Sequence, residues 1–316
     1  MRSFIKKIQN TIFQQRLFKR DAKVVLAVSG GPDSVCLLDV FAKLTPKYDL
    51  ELLIAHVNYG LRGKDSDKDE KFVRRLAKKH RIKINILKVT RIKPSENELR
   101  NIRYNFFEKV RKENNFDLIA VAHNMDDQVE TFLMRLIRGS GLSGLSAMKH
   151  KAGTIIRPLL GISRKEILEY LNRTNRTYRT DRTNKQNLFL RNKIRNELVP
   201  YLEKNYNPKI RQTIFDATAS IADDYSFLTE YAGKLIKNQK TLSVKKLLEL
   251  HPALQKRLLL KYIAAKKFNL KDIESSHIEE ILKALKSTKG KRQIVIFKGL
   301  KLTRVGDRVI IITHNT

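Results

Sequence analysis

Short apolar runs alternate with amphipathic stretches over the first half of the chain. The apolar runs have the length and composition of buried strands, and they lie at 23–28, 51–57, 82–89, 117–122 and 154–159. Between them, apolar residues recur every three to four positions, as in helices, at 34–44, 66–80, 98–114 and 127–137. This alternation predicts βαβ units, and therefore an α/β fold with a doubly wound, mainly parallel sheet that carries helices on both faces.

The rest of the chain is predicted to be mainly helical. We expect a short amphipathic helix at 2–18 and further helices at 163–174 and 191–198, the last ending near Pro200. Beyond Pro208 the spacing predicts helices at 209–238, 243–249, 252–267 and 275–287, followed by three short strands within 291–313 that turn at Gly299 and Gly306-Asp307. We therefore predict two domains, 1–210 and 211–316, the second smaller and mainly helical with a short β tail.

Charge adds a second constraint. The 65 Lys and Arg residues outnumber the 32 Asp and Glu residues, which gives a net charge of +33. A surface this basic attracts polyanions, and nucleic acid is the first candidate, although a lysine-rich genome produces the same bias. The charge does not distinguish RNA from DNA.

Composition also bounds the compartment. No apolar stretch approaches the roughly 20 residues that span a bilayer, and the first seven residues lack the apolar core of a secretory signal. A single cysteine, Cys36, excludes an internal disulfide framework and a thiolate zinc site. We expect a cytoplasmic protein without a membrane partner.

The most informative motif is Ser29-Gly30-Gly31-Pro32-Asp33-Ser34, which joins the first predicted strand to the next helix. Paired glycines let the backbone approach a ligand closely, and the N–H groups at the start of a helix bind phosphate beside the positive end of the helix dipole. The two serine hydroxyls are further donors, and the aspartate is placed to hold a metal ion. The alternative is an ordinary βα turn, in which serine or aspartate only caps the helix.

A second polar cluster, 123–131, begins at another predicted strand end and enters a helix. Asp127 and Glu130 are three positions apart and therefore share one helix face. Two carboxylates at a helix start can ligate Mg²⁺ together with phosphates, or they can merely complement the helix dipole. Because strand ends meet at one edge of a parallel sheet, this cluster, the 29–34 loop and the segment 56–62 are expected to share one cleft.

These segments resemble known families. The 29–34 loop matches the S-G-G-x-D-S loop of the PP-loop ATP pyrophosphatases, and the run 121–145 is similar to the A-H-x-x-D-D-x-x-E-T and R-G-x-G-x-x-G-L blocks of the tRNA(Ile)-lysidine synthase family. Further similar segments lie at 56–62, 98–104, 157–160, 181–184 and 191–195. The chain departs from the family pattern at Tyr59, Asn124, Arg182 and Lys193.

The resemblance implies a two-step reaction. ATP adenylates the C2 oxygen of the wobble cytidine, position 34, in the isoleucine tRNA with a CAU anticodon, releasing pyrophosphate. Free L-lysine then displaces AMP to give lysidine. ATP as co-substrate and Mg²⁺ are the implied cofactors. No obligate protein partner is expected, and a homodimer is possible.

The resemblance also assigns residues to roles. The implied catalytic residues are Asp33, Arg103, Asp127 and Glu130, with Asp33 and Asp127 as the Mg²⁺ ligands. ATP is expected to contact Ala27, Val28, Ser29, Gly30, Gly31, Pro32, Asp33, Ser34 and His56. For Arg100 the sequence leaves two alternatives, a role in the site and a surface ion pair.

The segment 173–195 is a candidate RNA contact on its own chemistry. It holds eight Lys and Arg residues against one acid, Asp181, with Tyr178 and Phe189 among them. Arginines position phosphates and aromatic rings stack on unpaired bases, whereas the alternative is a solvated basic loop. We expect tRNA contacts at Arg182, Arg191, Lys193 and Arg195.

Three other functions fit parts of the pattern. A tRNA thiolase shares the phosphate loop, but sulfur transfer normally needs paired cysteines and Cys36 is alone. A small-molecule PP-loop synthetase does not need so basic a chain. A non-catalytic RNA-binding protein with a relic ATP site would not cleave ATP, and the presence of all the motif acids argues against it.

Overall fold

The computed structural model describes residues 2–61, 63–89, 95–180, 190–236, 241–265, 273–287, 294–297 and 300–313. Its contacts divide the chain into two compact units, Met1–Ser220 and Ile221–Thr316. The division falls inside a helix, whereas the domain prediction, 1–210 and 211–316, placed its boundary at the start of that helix and stays a prediction.

The first unit is built on one six-stranded sheet. Its strands are β1 Lys23–Ala27, β2 Glu51–Asn58, β3 Lys83–Lys88, β4 Leu118–Ala120, β5 Lys151–Ala152 and β6 Ile155–Ile156. They lie in the order β3-β2-β1-β4-β6-β5, and every pairing is parallel except the one between β5 and β6. The predicted α/β class with a mainly parallel sheet is confirmed.

Strand β1 lies at the point where the chain reverses its direction across the sheet. It pairs with β2 on one side and β4 on the other, so that Leu26 is opposite both Ile54 and Ala120. Ligands of open α/β sheets bind beyond the carboxyl ends of the strands at such a reversal. The loops that follow β1 and β4 are the two motif-bearing segments, and the topology therefore brings them together.

Helices cover both faces of this sheet. Up to residue 205, the α-helices of this unit are α1 Arg2–Gln14, α2 Pro32–Tyr48, α3 Lys64–His80, α4 Glu96–Glu113, α5 Met125–Ile137, α6 Leu142–Leu145, α7 Arg164–Arg173, α8 Leu190–Lys193 and α9 Val199–Asn205. Phe41 of α2 is fully buried in the core on one face, while Phe107 and Val110 of α4 pack in a separate cluster on the other.

Two local expectations are wrong. The helix expected to end near Pro200 continues to Asn205, because Pro200 lies in the first turn of α9, where its missing N–H costs no hydrogen bond; a π-helical turn, Ile194–Leu198, precedes it. The strand expected at 154–159 is only the two-residue β6, and the chain turns after it, with Leu160 N–H donating to the Arg157 carbonyl.

The second unit is mainly helical with a small antiparallel sheet. The helix α10 Ile210–Ile236 enters it, followed by α11 Val244–Leu248, α12 Pro252–Ala265 and α13 Ser275–Lys286. The sheet contains β7 Leu242–Ser243, β8 Ile294–Phe297, β9 Leu300–Val305 and β10 Arg308–Thr313 in the order β7-β10-β9-β8. Three tail strands were expected and β7 was not. Gly299 lies outside the described residues.

Among the described residues, no helix has the combination of length and apolarity that a bilayer crossing requires.

Candidate active site

The 29–34 loop leaves the start of α2 open toward a cavity. Gly30 has a φ of +93°, a conformation that favours glycine, and Gly31 precedes the helix without any side-chain cap. The Ser34 hydroxyl accepts from the N–H groups of Ser29 (3.2 Å) and Gly30 (3.1 Å) and donates to the Gly31 carbonyl (2.9 Å). The loop is therefore organised by its own serines, and no side chain occupies the helix start as in an ordinary capped βα turn.

The loop is also held from outside. The Gly30 carbonyl accepts from the N–H of Arg179 at 2.9 Å, and the Arg179 Nε donates to Asp69 Oδ1 of α3 at 2.7 Å. Nearby, Arg176 forms an ion pair of 2.6 Å with the buried Asp39 of α2. The first part of the basic segment 173–195 is thus anchored on the phosphate loop and its helix.

Asp33 lies in the first turn of α2 with a carboxylate that is only partly satisfied. One oxygen, Oδ2, forms an ion pair with Arg164, while Oδ1 is buried without a hydrogen-bond partner among the described residues. Burial raises the pKa of Asp33 to about 6, assisted by the nearby Asp127 and opposed by Arg164. An unpartnered buried carboxylate oxygen beside a phosphate loop fits a ligand to a divalent cation.

The carboxylate of Asp127 takes part in a helix cap with one oxygen and faces a charged cavity with the other. It forms a capping box with Asn124, in which Asp127 N–H donates to Asn124 Oδ1 and Asn124 N–H donates to Asp127 Oδ2, each at 3.1 Å. The other oxygen, Oδ1, lies 3.5 Å from Arg195. The helix-capping interpretation therefore holds for one oxygen, while the second takes no part in the cap and faces Arg195 in the charged cavity.

Glu130 is 1 % exposed and engaged by arginine. Arg195 contacts its two oxygens with Nε at 2.6 Å and Nη2 at 2.9 Å, and Arg191 Nε lies 3.2 Å from Oε2. Burial raises the pKa of Glu130 and the Arg195 guanidinium opposes that shift. Lys193 of the same segment is exposed, and Arg182 lies outside the described residues.

Two cavities open on either side of the loop and share Ser29, Gly31 and Asp33. The smaller, about 220 Å³, is mostly apolar; among the residues predicted from sequence it is lined by Ala27, Val28, Ser34 and Arg103. The larger, about 620 Å³, is strongly charged; its predicted residues are Pro32, Asp127, Glu130 and Arg195. Gly30 lines neither cavity.

His56, which was expected to contact ATP, lines neither of these two cavities. Its Nδ1 donates to the Val28 carbonyl at 2.8 Å, its Nε2 has no hydrogen-bond partner among the described residues, and burial lowers its pKa. The histidine therefore stays neutral and supports the strand end from which ATP contacts were predicted.

Several site residues were not predicted from the sequence. Tyr104 and His123 line the smaller cavity, and the Tyr104 hydroxyl and His123 Nδ1 are buried without a hydrogen-bond partner among the described residues. Burial lowers the pKa of His123 to about 4, so this imidazole is neutral. Arg100 and Arg103 lie over the Tyr104 ring at 5.2 Å and 5.7 Å from its centroid. Neither arginine forms an ion pair within the described part of the chain, and the surface ion pair considered for Arg100 is absent there.

The larger cavity holds further unpredicted residues. Asp126 accepts from the N–H of Arg164 at 2.8 Å with Oδ2 and contacts Arg211 with Oδ1. The only sequence signal for this role was the adjacent pair of aspartates at the start of α5. No cluster of three or more His, Cys, Asp or Glu side chains suited to a metal occurs among the described residues, so phosphate oxygens would have to complete a cation site at Asp33 and Asp127.

Comparison with known proteins gives concordant matches in both units. Residues 2–202 match the PP-loop domain family and residues 242–309 match the TilS substrate binding domain. The tRNA(Ile)-lysidine synthase of Clostridium tetani is 36 % identical over 315 residues, covering 95 % of this chain and 67 % of the relative. That of Clostridium perfringens is 37 % identical over 317 residues, covering 96 % and 67 %. The chain thus spans about two thirds of the length of these curated relatives.

Among solved structures, the U34-tRNA thiolase NcsA from Methanococcus maripaludis, described with its [4Fe-4S] cluster, is similar with a TM-score of 0.57 and 22 % sequence identity. The match covers 70 % of this chain and 78 % of that one. At this identity the similarity supports the fold alone.

Proposed function

The chain belongs to the tRNA(Ile)-lysidine synthase family, and from this membership we propose how the site carries out the reaction. The protein is an ATP-dependent ligase that joins lysine to the wobble cytidine of tRNA(Ile). The observation that carries our assignment of residues is the uncapped start of α2, with the carboxylates of Asp33 and Asp127 facing the same charged cavity.

In the first step the cytidine C2 oxygen attacks the α-phosphorus of ATP. The new bond joins that oxygen to phosphorus, the bond between the α-phosphorus and its bridging oxygen breaks, and pyrophosphate leaves with the electron pair. We assign the phosphates to the N–H groups at the start of α2 and to the Ser29 hydroxyl, because a helix start with free N–H groups favours anions. The Ser34 hydroxyl already donates to the Gly31 carbonyl, and we assign it to holding the loop in shape. We assign adenosine to the smaller cavity beside Ala27 and Val28, whose apolar lining suits a base.

Mg²⁺ fits the donors of this site. Asp33, with its unpartnered Oδ1, and Asp127, with its cavity-side Oδ1, would hold it together with phosphate oxygens. When bound, the ion neutralises the charge that develops on the leaving pyrophosphate. Arg103 lines the smaller cavity without a carboxylate partner in the described chain, and we assign it to the developing charge on the α-phosphate or the activated base.

In the second step the lysine side-chain nitrogen attacks C2, the bond between C2 and its oxygen breaks, and AMP leaves with that oxygen. The lysine ammonium must lose a proton before its nitrogen can attack, and the nitrogen loses another as the product forms; a cavity carboxylate can accept these protons. Asp127 fits this role best after pyrophosphate has left with its cation, because Oδ1 is then free to accept a proton while Oδ2 stays in the capping box. Glu130 is engaged by Arg195 in both oxygens, and we assign it to holding that arginine in place.

We assign the tRNA contacts of the basic segment 173–195 from the position and solvent exposure of each side chain. Arg195 faces the charged cavity, so we assign its tRNA contact to the wobble nucleotide itself, while Arg191 supports it through Glu130. Exposed Lys193 is assigned to a backbone phosphate, and Arg182 stays a prediction. The cytoplasm is the expected location, and a homodimer stays a prediction that light scattering would decide.

The test is lysine incorporation. Purified protein, ATP, Mg²⁺ and labelled free lysine are combined with isoleucine or methionine tRNA transcripts that carry CAU anticodons. We expect label in the isoleucine transcript alone. RNA-dependent cleavage of ATP to AMP and pyrophosphate without label would exclude lysine as the nucleophile, and no cleavage at all would favour the non-catalytic RNA-binding alternative.

A further inference from the structure

The charged cavity contains four arginines, and each contacts a carboxylate. In three of these pairs the carboxylate lies outside the phosphate loop: Arg179 with Asp69, Arg195 with Glu130, and Arg211 with Glu203. Each of these three pairs can persist when ATP occupies the loop, because none of their carboxylates belongs to the loop or is assigned to bind the cation.

The fourth pair differs. Arg164 contacts Asp33, the aspartate of the phosphate loop itself. A cation at Oδ1 would take up much of the negative charge of this carboxylate, so the ion pair between Arg164 and Oδ2 would weaken while Arg164 remains beside the loop. A guanidinium whose ion pair is weakened can bind another anion, and two parallel N–H groups of an arginine can donate to two oxygens of a phosphate.

The backbone of Arg164 is fixed while its side chain is exposed. Its N–H donates to Asp126 Oδ2 at 2.8 Å, and the preceding Ser163 forms a capping box with Glu166 that starts α7 at this residue. The side chain itself is 42 % exposed. A change of partner therefore needs only rotation about side-chain bonds.

We propose that Arg164 binds the pyrophosphate leaving group, having exchanged its contact with Asp33 for the β- and γ-phosphates when ATP and its cation arrive. The inference rests on the proposed function, since it requires ATP at the 29–34 loop and a cation at Asp33. In the ligand-free protein the Arg164 side chain holds the Asp33 carboxylate; with pyrophosphate present it neutralises the product at the end of the cavity.

The test measures binding of pyrophosphate itself. Calorimetric titration with magnesium pyrophosphate compares the wild type with Arg164→Ala, Arg164→Lys and Lys165→Ala. Lys165 is exposed on the next position of the same helix and lines neither cavity, so it controls for loss of one positive charge. We expect Arg164→Ala to weaken binding at least tenfold and Lys165→Ala less than twofold. Arg164→Lys should lie between them, because an ammonium keeps the charge but not the paired N–H geometry.

A second readout separates binding from folding and from the wider proposal. In the ATP–pyrophosphate exchange reaction with tRNA(Ile) present as the adenylate acceptor and lysine absent, Arg164→Ala should raise the KM for pyrophosphate at least tenfold. The KM for lysine in the forward reaction should be unchanged. Melting temperatures would show that each variant is folded. Equal or tighter pyrophosphate binding by Arg164→Ala would overturn the inference, since the arginine would then only hold Asp33. Absence of pyrophosphate binding and ATP cleavage in the wild type would instead overturn the proposed function.

Discussion

Substitution of Asp127 separates the two interactions that its carboxylate makes. Asp127→Ala removes both the capping hydrogen bond to Asn124 and the charge on the cavity side, whereas Asp127→Asn keeps an oxygen able to accept from Asn124 N–H. Both variants lose the charge assigned to the cation and to the lysine amine. The pair therefore distinguishes a residue that only caps α5 from one that acts in the reaction.

The magnitudes differ for the two roles. Loss of an N-terminal capping interaction costs about 1 kcal/mol, which lowers the melting temperature of a unit of this size by about 2–4 °C, and this applies to Asp127→Ala alone. Loss of the charge should lower the turnover of both variants at least about 100-fold, equivalent to about 2.7 kcal/mol of transition-state stabilisation. Affinity for tRNA should stay within a few-fold, because Asp127 contributes no positive charge.

The assay is single-turnover lysidine formation with saturating tRNA, next to thermal melting of each variant. Asp117→Asn is the matched control. Asp117 is exposed, directly precedes β4 at the amino-terminal end of the strands, away from the site, and accepts a hydrogen bond from Lys23 N–H. Its turnover should equal that of the wild type. Turnover of Asp127→Asn within threefold of the wild type would refute our assignment and leave Asp127 as a helix cap.

Three further predictions concern neighbouring features. Affinity for magnesium ATP should rise as pH increases through about 6, because the raised pKa of Asp33 leaves its carboxyl protonated below that value and only the ionised form binds a cation. Calorimetry at several pH values should show a weaker pH dependence of this affinity for Asp33→Asn. The same pH dependence in the variant and the wild type would contradict the prediction. Glu130→Gln should lower the free energy of unfolding by about 3 kcal/mol, because Arg191 and Arg195 lose the charge of the glutamate that both contact. The control Glu113→Gln, at an exposed position, should change it by less than about 0.5 kcal/mol. Equal denaturant midpoints for the two variants would contradict a stabilising role for the buried pairs. Gly30→Ala should weaken ATP binding about tenfold, because φ is +93° and the new Cβ would lie 3.4 Å from two side chains of α3, whereas Gly153→Ala, also at positive φ but in open space, should leave ATP affinity unchanged.

The fold could be predicted from the sequence because its signals are local. The strand, glycine loop and helix around Gly30 follow one another directly along the chain, and the alternation of strands and helices implies a parallel sheet without knowledge of any long-range contact. Local signals also have limits. Pro200 was expected to end a helix, yet the same ring is accepted in a first helical turn, and the sequence alone does not distinguish these positions.

The pairing of site residues could not be predicted in the same way. The contact between Arg195 and Glu130 joins residues 65 positions apart, and Arg164 reaches Asp33 across 131 positions. Composition marked Arg195 only as part of a basic segment, and Arg164 carried no signal beyond its position near a predicted helix start. Which arginine faces which carboxylate depends on tertiary packing, and that information is absent from periodicity and spacing.

The hydrogen bond between Arg179 N–H and the Gly30 carbonyl limits how far this protein can be shortened. A fragment that stopped after β6 would contain the whole glycine motif and every strand of the sheet, but it would lack the donor that fixes the motif's carbonyl and the side chain that ties it to α3. The smallest autonomous nucleotide-binding fragment of this chain should therefore extend at least to residue 180. The 29–34 loop can therefore be recognised from its own six residues, but its structure also depends on Arg179, which lies about 150 residues further along the chain.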